Sequence, residues 1–396
     1  MNITKQTKNI ILVIVLIIIV AAIVLISLKK PKHLSSRDAA DIMAPVSAQQ
    51  NDQNSNSVKQ DAVLQSRTAM IAAEAKQYPK GKELVGIDSY INTQPFTLSD
   101  LVAKNDVVLV DFWTYSCINC QRTIPYLNAW YQKYKDQGLV IVGVSAPEFD
   151  FEKNYGNVAA AVKQFGILYP VVLDNEMQTW DAYNNEYWPA EYLINSDGFV
   201  IHTNFGEGDY AATEQAIQNA LKSRDAELGI PDTVPTGLVN PASAISVSGS
   251  QVQSPETYFG SNRNEYLANG TRGSAGIQTL TIPKSINPNQ LYLDGAWNFQ
   301  SEFAETTSPT AKIVFQYSAK NVYFVASSAN GVRAKVLIDG KPIDPAIAGS
   351  DVSSDGTVLI KDDRLYNLVN GAGYGVHTLE LNVSGTGLDA YTFTFG

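Results

Sequence analysis

Val110-Asp111-Phe112-Trp113-Thr114-Tyr115-Ser116-Cys117-Ile118-Asn119-Cys120 is the stretch on which the reading of this chain turns. Val107 to Trp113 is a continuous apolar run interrupted only by Asp111, the pattern of a strand buried on both faces. After Cys120, apolar and aromatic residues at Ile124, Leu127, Trp130, Tyr131 and Tyr134 fall on one side of a helix. Two cysteines three apart therefore stand where a strand hands over to a helix. At a helix amino end the free N–H groups and the macrodipole stabilise a thiolate. A thiolate there can attack a disulfide, and the second sulfur can resolve the mixed disulfide. This assigns Cys117 as nucleophile and Cys120 as resolver.

Other uses of the pair fit less well. Haem attachment needs a histidine directly after the second cysteine, and Gln121 stands there. The two cysteines are the chain's only ones, and the three histidines, His33, His202 and His377, are scattered, so no metal site is expected. A purely structural disulfide would close too short a ring to contribute much. Thr114, three residues before Cys117, matches the peroxidatic motif of peroxiredoxins, but Val110 occupies the place where that motif has proline. A thiol peroxidase is therefore an alternative.

Outward from the motif, strands and helices alternate. Leu139–Val144, Tyr169–Leu173, Glu191–Ile194 and Phe199–Ile201 read as strands; Val158–Phe165 and Thr213–Leu221 read as helices. The alternation predicts an α/β domain over residues 77–225. Residues 226–250, with Pro231, Pro235 and Pro241, read as a linker. Residues 251–396 change texture: Lys312–Tyr317, Asn321–Ala326, Ala334–Ile338, Thr378–Val383 and Tyr391–Phe395 read as short strands, with Asp339-Gly340 as a hairpin turn. An all-β sandwich, jelly-roll-like, is expected there.

At the other end, Ile10 to Ile26 is an unbroken apolar run of 17 residues, which Leu28 extends. A helix over 10–28 reaches about 28 Å, enough for a bilayer core. An uncleaved single transmembrane anchor is expected, behind a short tail (1–9) and ahead of a flexible polar spacer (29–76), of which residues 61–76 look weakly helical. Lys5 and Lys8 precede the run, while Lys29, Lys30, Lys32 and Arg37 follow it, a count that by itself favours a cytoplasmic bulk. The 396 residues carry 29 Lys+Arg against 39 Asp+Glu, a net charge of −10, with no basic arm, so nucleic acid is not an expected partner.

Asp111-Phe112-Trp113 six residues ahead of Cys-x-x-Cys, with Pro125 five beyond Cys120, resembles the thioredoxin-like (TlpA/redoxin) superfamily. The resemblance implies that Asp111 assists proton transfer at the resolving cysteine; a desolvated carboxylate suits that task. It also implies a cis-proline facing the cysteines. Trp188-Pro189-Ala190 fits that position, with the backbone of Trp188 exposed to pair with an extended substrate. Trp113 and Tyr115, flanking the motif, are candidate substrate-docking side chains. Trp113 to Cys120, Tyr187-Trp188-Pro189-Ala190, Gly206 to Tyr210, Pro255 to Gly260 and Tyr391 to Gly396 are closer still to the thioredoxin-like and carboxy-terminal region of DipZ-type proteins. Such proteins carry an upstream multi-span electron carrier, whereas this chain has one apolar run. The resemblance thus implies a separate CcdA-like membrane donor and an extracytoplasmic redox domain, against the lysine count. It implies disulfide-containing protein substrates, more in need of reduction than oxidation, and a redox-active Cys117–Cys120 pair in place of any cofactor. The β domain resembles a carbohydrate-binding module, so cell-wall glycan is an expected partner, and a binding protein on a redox-inert scaffold is a further alternative. Glu148 and Asp150 are acidic candidates near the thiols.

Overall fold

The computed structural model describes residues 65, 67–245, 247 and 249–396. The expected membrane anchor at 10–28 and most of the polar spacer lie outside the described residues. Among the described residues no helix is long and apolar enough to cross a membrane.

The first domain is a six-stranded sheet in the order β1-β4-β3-β2-β5-β6, built from β1 (Ser89–Ile91), β2 (Val107–Trp113), β3 (Leu139–Ser145), β4 (Val171–Leu173), β5 (Ala190–Ile194) and β6 (Val200–Phe205). Strands β2, β3 and β4 are parallel; β1, β5 and β6 run antiparallel to their neighbours. The helices are α1 (Leu98–Val102), α2 (Ile118–Tyr134), α3 (Tyr155–Gln164), α4 (Gln178–Ala182) and α5 (Tyr210–Leu228). Every residue of β2 is buried, because helices cover both faces of the sheet. Leu109 and Trp113 pack with Ile124, Leu127 and Ile217 on the α2/α5 side, and Val108, Val110 and Phe112 pack with Trp180 and Tyr192 on the other. This is a thioredoxin-like fold. Helix α5 runs seven residues past the expected Leu221, to a left-handed Gly229 cap.

The strands of the carboxy-terminal region, β7 (Thr257–Tyr258), β8 (Gly276–Leu280), β9 (Leu291–Phe299), β10 (Ala304–Thr306), β11 (Thr310–Ser327), β12 (Val332–Ile338), β13 (Lys341–Pro342), β14 (Thr357–Ile360), β15 (Arg364–Ser384) and β16 (Asp389–Phe395), all pair antiparallel with one another. Two strands dominate it, β11 (Thr310–Ser327) and β15 (Arg364–Ser384), paired along most of their length. Sequence patterning divides β11 in two at Ser318–Lys320; the structure carries the strand through, with a register shift between Ala319 and Asn321. The bulge absorbs the polar interruption without ending the pairing. Strands β9 (Leu291–Phe299) and β16 (Asp389–Phe395) occupy successive stretches of the same edge of β11. One long strand pair thereby serves two stretches of sheet around a core containing Phe259, Trp297, Phe315, Phe324, Tyr366 and Phe393. Asp339 and Gly340, both at positive φ, turn β12 (Val332–Ile338) into β13 (Lys341–Pro342), as Asp-Gly predicts.

The two domains touch through an aromatic cluster. Ile118, Phe149 and Phe151 of the first meet Tyr258, Tyr323, Leu365 and Tyr391 of the second. Phe149 and Phe151 each set an edge against Tyr391, with ring centroids 5.0 and 4.9 Å apart.

Candidate functional site

Cys117 is the N-cap of the 17-residue helix α2. Extended backbone there (φ −76°, ψ 116°) turns the side chain back over the first turn, and its Sγ accepts a hydrogen bond from the Cys120 N–H at 3.2 Å. The cysteine takes the place of a Ser or Asp cap, so the helix's positive pole acts directly on the sulfur. Cys117 is partly exposed, while Cys120 is buried and faces inward against Ile124 and Trp113. Burial, reinforced by its neighbour Cys117, pushes the Cys120 thiol well above the usual range. One sulfur can meet solvent; the other holds its proton until a base takes it.

Asp111 lies in β2 on the face that carries α2, fully buried, and burial, with Glu191 opposite, raises its carboxyl well above the carboxylate range. The Trp188–Pro189 peptide is cis, and the Cys117 thiol donates toward the Trp188 carbonyl at 3.9 Å. The Trp188 ring packs on Trp180 at 4.2 Å and its Nε1–H donates to the Ala146 carbonyl at 2.9 Å, which fixes the loop. Cys117, Cys120, Asp111, Trp188 and Pro189 therefore converge at one end of the sheet.

Two expected docking side chains do not serve as a surface. Trp113 is 1% exposed and belongs to the core between sheet and α2. Tyr115 is 6% exposed and donates its hydroxyl to the Asp363 carbonyl of the β domain at 3.1 Å. Trp113 is the last residue of a strand buried on both faces, and the β domain covers Tyr115, which the first domain alone would leave open. Glu148 and Asp150 also point elsewhere. Glu148 accepts from Tyr258 Oη and Arg263 Nη1, each at 2.7 Å, across the domain interface, and Asp150 is exposed, donating its backbone N–H to Glu302.

The carboxylate that does hold the motif is Glu152, two residues further on. Its Oε1 accepts from the Ser116 hydroxyl at 2.6 Å and the Ser116 N–H at 3.3 Å; its Oε2 accepts from the N–H groups of Glu148 and Phe149 at 2.7 and 3.1 Å. Complete burial raises its pKa to about 7 against the opposing pull of these donors. A second missed residue is Arg122, whose side chain is buried. It makes a bidentate pair with Glu207, 2.6 Å on each arm, and donates to Asn119 Oδ1 of the dipeptide between the cysteines. An arginine two residues after Cys-x-x-Cys and the Gly206-Glu207-Gly208 turn were visible in sequence, but only the fold brings them together. Among the described residues no cluster of metal-ligating side chains occurs.

Residues 82–203 match the AhpC/TSA family, and residues 254–396 match the family described as thioredoxin like C-terminal domain. Fold, motif and family place the chain in the thioredoxin-like superfamily. Among curated proteins it is similar to Protein DipZ of Mycobacterium tuberculosis (strain CDC 1551 / Oshkosh), 38% identical over 332 residues, 82% of this chain and 44% of DipZ. It is also similar to the thiol-disulfide oxidoreductase ResA of Bacillus anthracis, 32% identical over 126 residues, which cover 32% of this chain and 66% of ResA. The chain spans less than half the length of the DipZ proteins it matches. Among solved structures, a thiol:disulfide interchange protein of the thioredoxin family from Chlorobium tepidum TLS aligns over 36% of this chain and 97% of its own, with 21% identity and a TM-score of 0.32.

Proposed function

We propose that the chain is a thiol–disulfide oxidoreductase that reduces disulfides in other proteins through Cys117 and Cys120. The observation that carries this reading is the pairing of a partly exposed sulfur at a helix N-cap with a buried sulfur next to a buried carboxylate. The Cys117 thiolate attacks one sulfur of a substrate disulfide, forming a mixed disulfide and releasing the other substrate sulfur as a thiol. Cys120 then gives its proton to Asp111 and attacks Cys117 Sγ. The mixed disulfide breaks, the second substrate sulfur leaves, and the chain is left with a Cys117–Cys120 disulfide. Two electrons have passed to the substrate, and a separate dithiol donor must return them.

The Trp188 backbone beside Cys117 suits a substrate that arrives as an extended segment, so polypeptide is the substrate class. Membrane anchoring through residues 10–28, an extracytoplasmic location and a CcdA-like membrane donor belong to the same proposal, on the strength of the apolar run and the similarity to DipZ. Glycan binding by the β domain is proposed on that similarity alone. The test is covalent capture. Cys120→Ser should accumulate mixed disulfides with extracytoplasmic proteins that dithiothreitol releases, and Cys117→Ser/Cys120→Ser should accumulate none. Equal yields from the two variants would refute the reading. The AhpC/TSA match favours one second reading, a thiol peroxidase; it requires rapid peroxide consumption with sulfenate at Cys117, and inertness to peroxide removes it.

A further inference from the structure

Beneath Cys120 the core contains a second buried carboxylate. Asp111 of β2 and Glu191 of β5 are directly opposed in the antiparallel ladder, so their side chains leave the same face of the sheet. In the same row Gly143 of β3 stands beside Asp111, and Asn204 of β6 stands beside Glu191. Gly143 has no side chain to fill its place; a Cβ there would lie 3.0 Å from Trp113 Nε1 and 3.2 Å from the Tyr169 ring. Four polar atoms around this row have no hydrogen-bond partner among the described residues: Asp111 Oδ1, Glu191 Oε1, Trp113 Nε1 and Tyr169 Oη. Orphaned polar groups are costly in a core and rarely gather without a reason. The two carboxyls are each 1% exposed, and two negative charges there would repel strongly.

The other oxygen of Glu191 leads outward. Thr213 of α5 donates to Glu191 Oε2 at 3.2 Å, and the Thr213 hydroxyl meets His202 Nε2 of β6 at 3.1 Å. His202 is half-buried and reaches the domain surface. A polar line thus runs from under the resolving sulfur to solvent through an otherwise apolar layer.

We propose that Asp111 and Glu191 hold one proton in common and that Glu191, through Thr213 and His202, conveys the Cys120 proton to solvent. The proposal rests on the dithiol reading above. When Cys120 attacks Cys117 Sγ, its proton passes to the carboxylate pair, the Cys117–substrate bond breaks, and the departing substrate sulfur takes a proton from solvent. The pair then releases its extra proton by way of Thr213 and His202. Glu191 acts through Asp111 and does not touch the reacting sulfurs; it is a positioning residue for the proton. The groups that face the pair are Cys120 from α2, Tyr169 from the segment before β4, Tyr210 and Thr213 from α5, and His202 and Asn204 from β6. Burial raises both carboxyls, Glu191 to about 7, so the pair can take up a proton near neutrality.

The test separates the two half-reactions. Reduced protein is mixed with 5,5′-dithiobis(2-nitrobenzoate); attack by Cys117 releases the first thionitrobenzoate, and resolution by Cys120 releases the second. Glu191→Gln should leave the first release within about twofold and slow the second at least tenfold at pH 7, moving its rise with pH to the alkaline side. Glu191→Asp, which restores a carboxyl, should recover most of the rate, and Thr213→Val, which keeps both carboxyls, should slow the second release alone. A wild-type protein releasing two equivalents while Glu191→Gln keeps both the rate and the pH profile of the second overturns this inference alone. A wild-type protein releasing only one equivalent overturns the dithiol reading and the inference with it.

Discussion

Replacing Glu152 by alanine removes the acceptor on which the residue before Cys117 is hung. Four donors lose their partner: the Ser116 N–H and hydroxyl, and the N–H groups of Glu148 and Phe149. Ser116 and Phe149 are buried, so at least two donors stay dry; at about 1–3 kcal/mol each the loss is about 3 kcal/mol. The penalty depends on pH, and its sign follows from the direction of the shift. Glu152 has its folded pKa raised from 4.5 to about 7. A carboxyl raised on folding contributes its stability in full below the unfolded value, near pH 4.5, and loses it as pH rises through about 7. A shift from 4.5 to about 7 corresponds to roughly 3 kcal/mol for a fully buried group. Glu152→Ala should therefore be least stable relative to wild type near pH 5, by about 3 kcal/mol, with the gap closing to within about 1 kcal/mol at pH 8. Paired urea unfolding curves at pH 5, 6, 7 and 8 measure it directly. A gap that widens from pH 5 to pH 8, or one below about 0.5 kcal/mol at pH 5, would refute the reasoning.

Three further outcomes are expected. Asp111→Asn removes the base at Cys120 and should slow the second thionitrobenzoate release about 10²-fold at pH 7 while sparing the first; equal slowing of both phases would contradict its role. Arg122→Ala strands the partly buried Glu207 and frees Asn119, at a cost of about 3 kcal/mol by thermal or urea unfolding; Arg122→Lys should recover only part, since one ammonium cannot make the bidentate pair. Tyr391→Ala empties the centre of the interdomain cluster, where it meets both Phe149 and Phe151, and should cost about 3–5 kcal/mol and open Tyr115 to solvent, read as faster hydrogen exchange around residues 115–118. Unchanged exchange there would show that the β domain does not hold the motif.

Much of this was legible in the chain itself. The apolar run of β2, the helix after Cys120 and the glycine-punctuated turns are local signals, and each lies where periodicity put it, within a few residues at its ends. The sequence pattern divides β11 into two pieces, since a bulge looks like a break when only one strand is in view, and marks only Thr378–Val383 of β15. Strand β9 is hard to see in sequence because Asp294 and Gly295 interrupt it, although Leu291–Asp294 pair with β11 and Gly295–Phe299 with the strand Gly276–Leu280. The site divides in the same way. Cys117, Cys120, Asp111 and Pro189 are marked by spacing within one motif or by resemblance. Glu152, Arg122 and Glu191 act through partners 36, 85 and 80 positions away, respectively Ser116, Glu207 and, by the difference 191 − 111, Asp111. No local pattern distinguishes such a carboxylate from a solvated one. Trp113 and Tyr115 show the converse: an aromatic beside a motif reads as a docking surface, but Trp113 packs in the first domain's own core and the β domain covers Tyr115.

The most direct measurement is site-resolved alkylation of the folded, fully reduced protein, followed by peptide mass spectrometry. Cys117 should take up iodoacetamide rapidly while Cys120 stays unmodified until the chain is unfolded, and mild oxidation should join the two in one intramolecular disulfide that blocks both. Labelling of Cys120 as fast as Cys117, or an oxidised protein in which both thiols still react, would contradict the assignment of an open nucleophile and a shielded resolver.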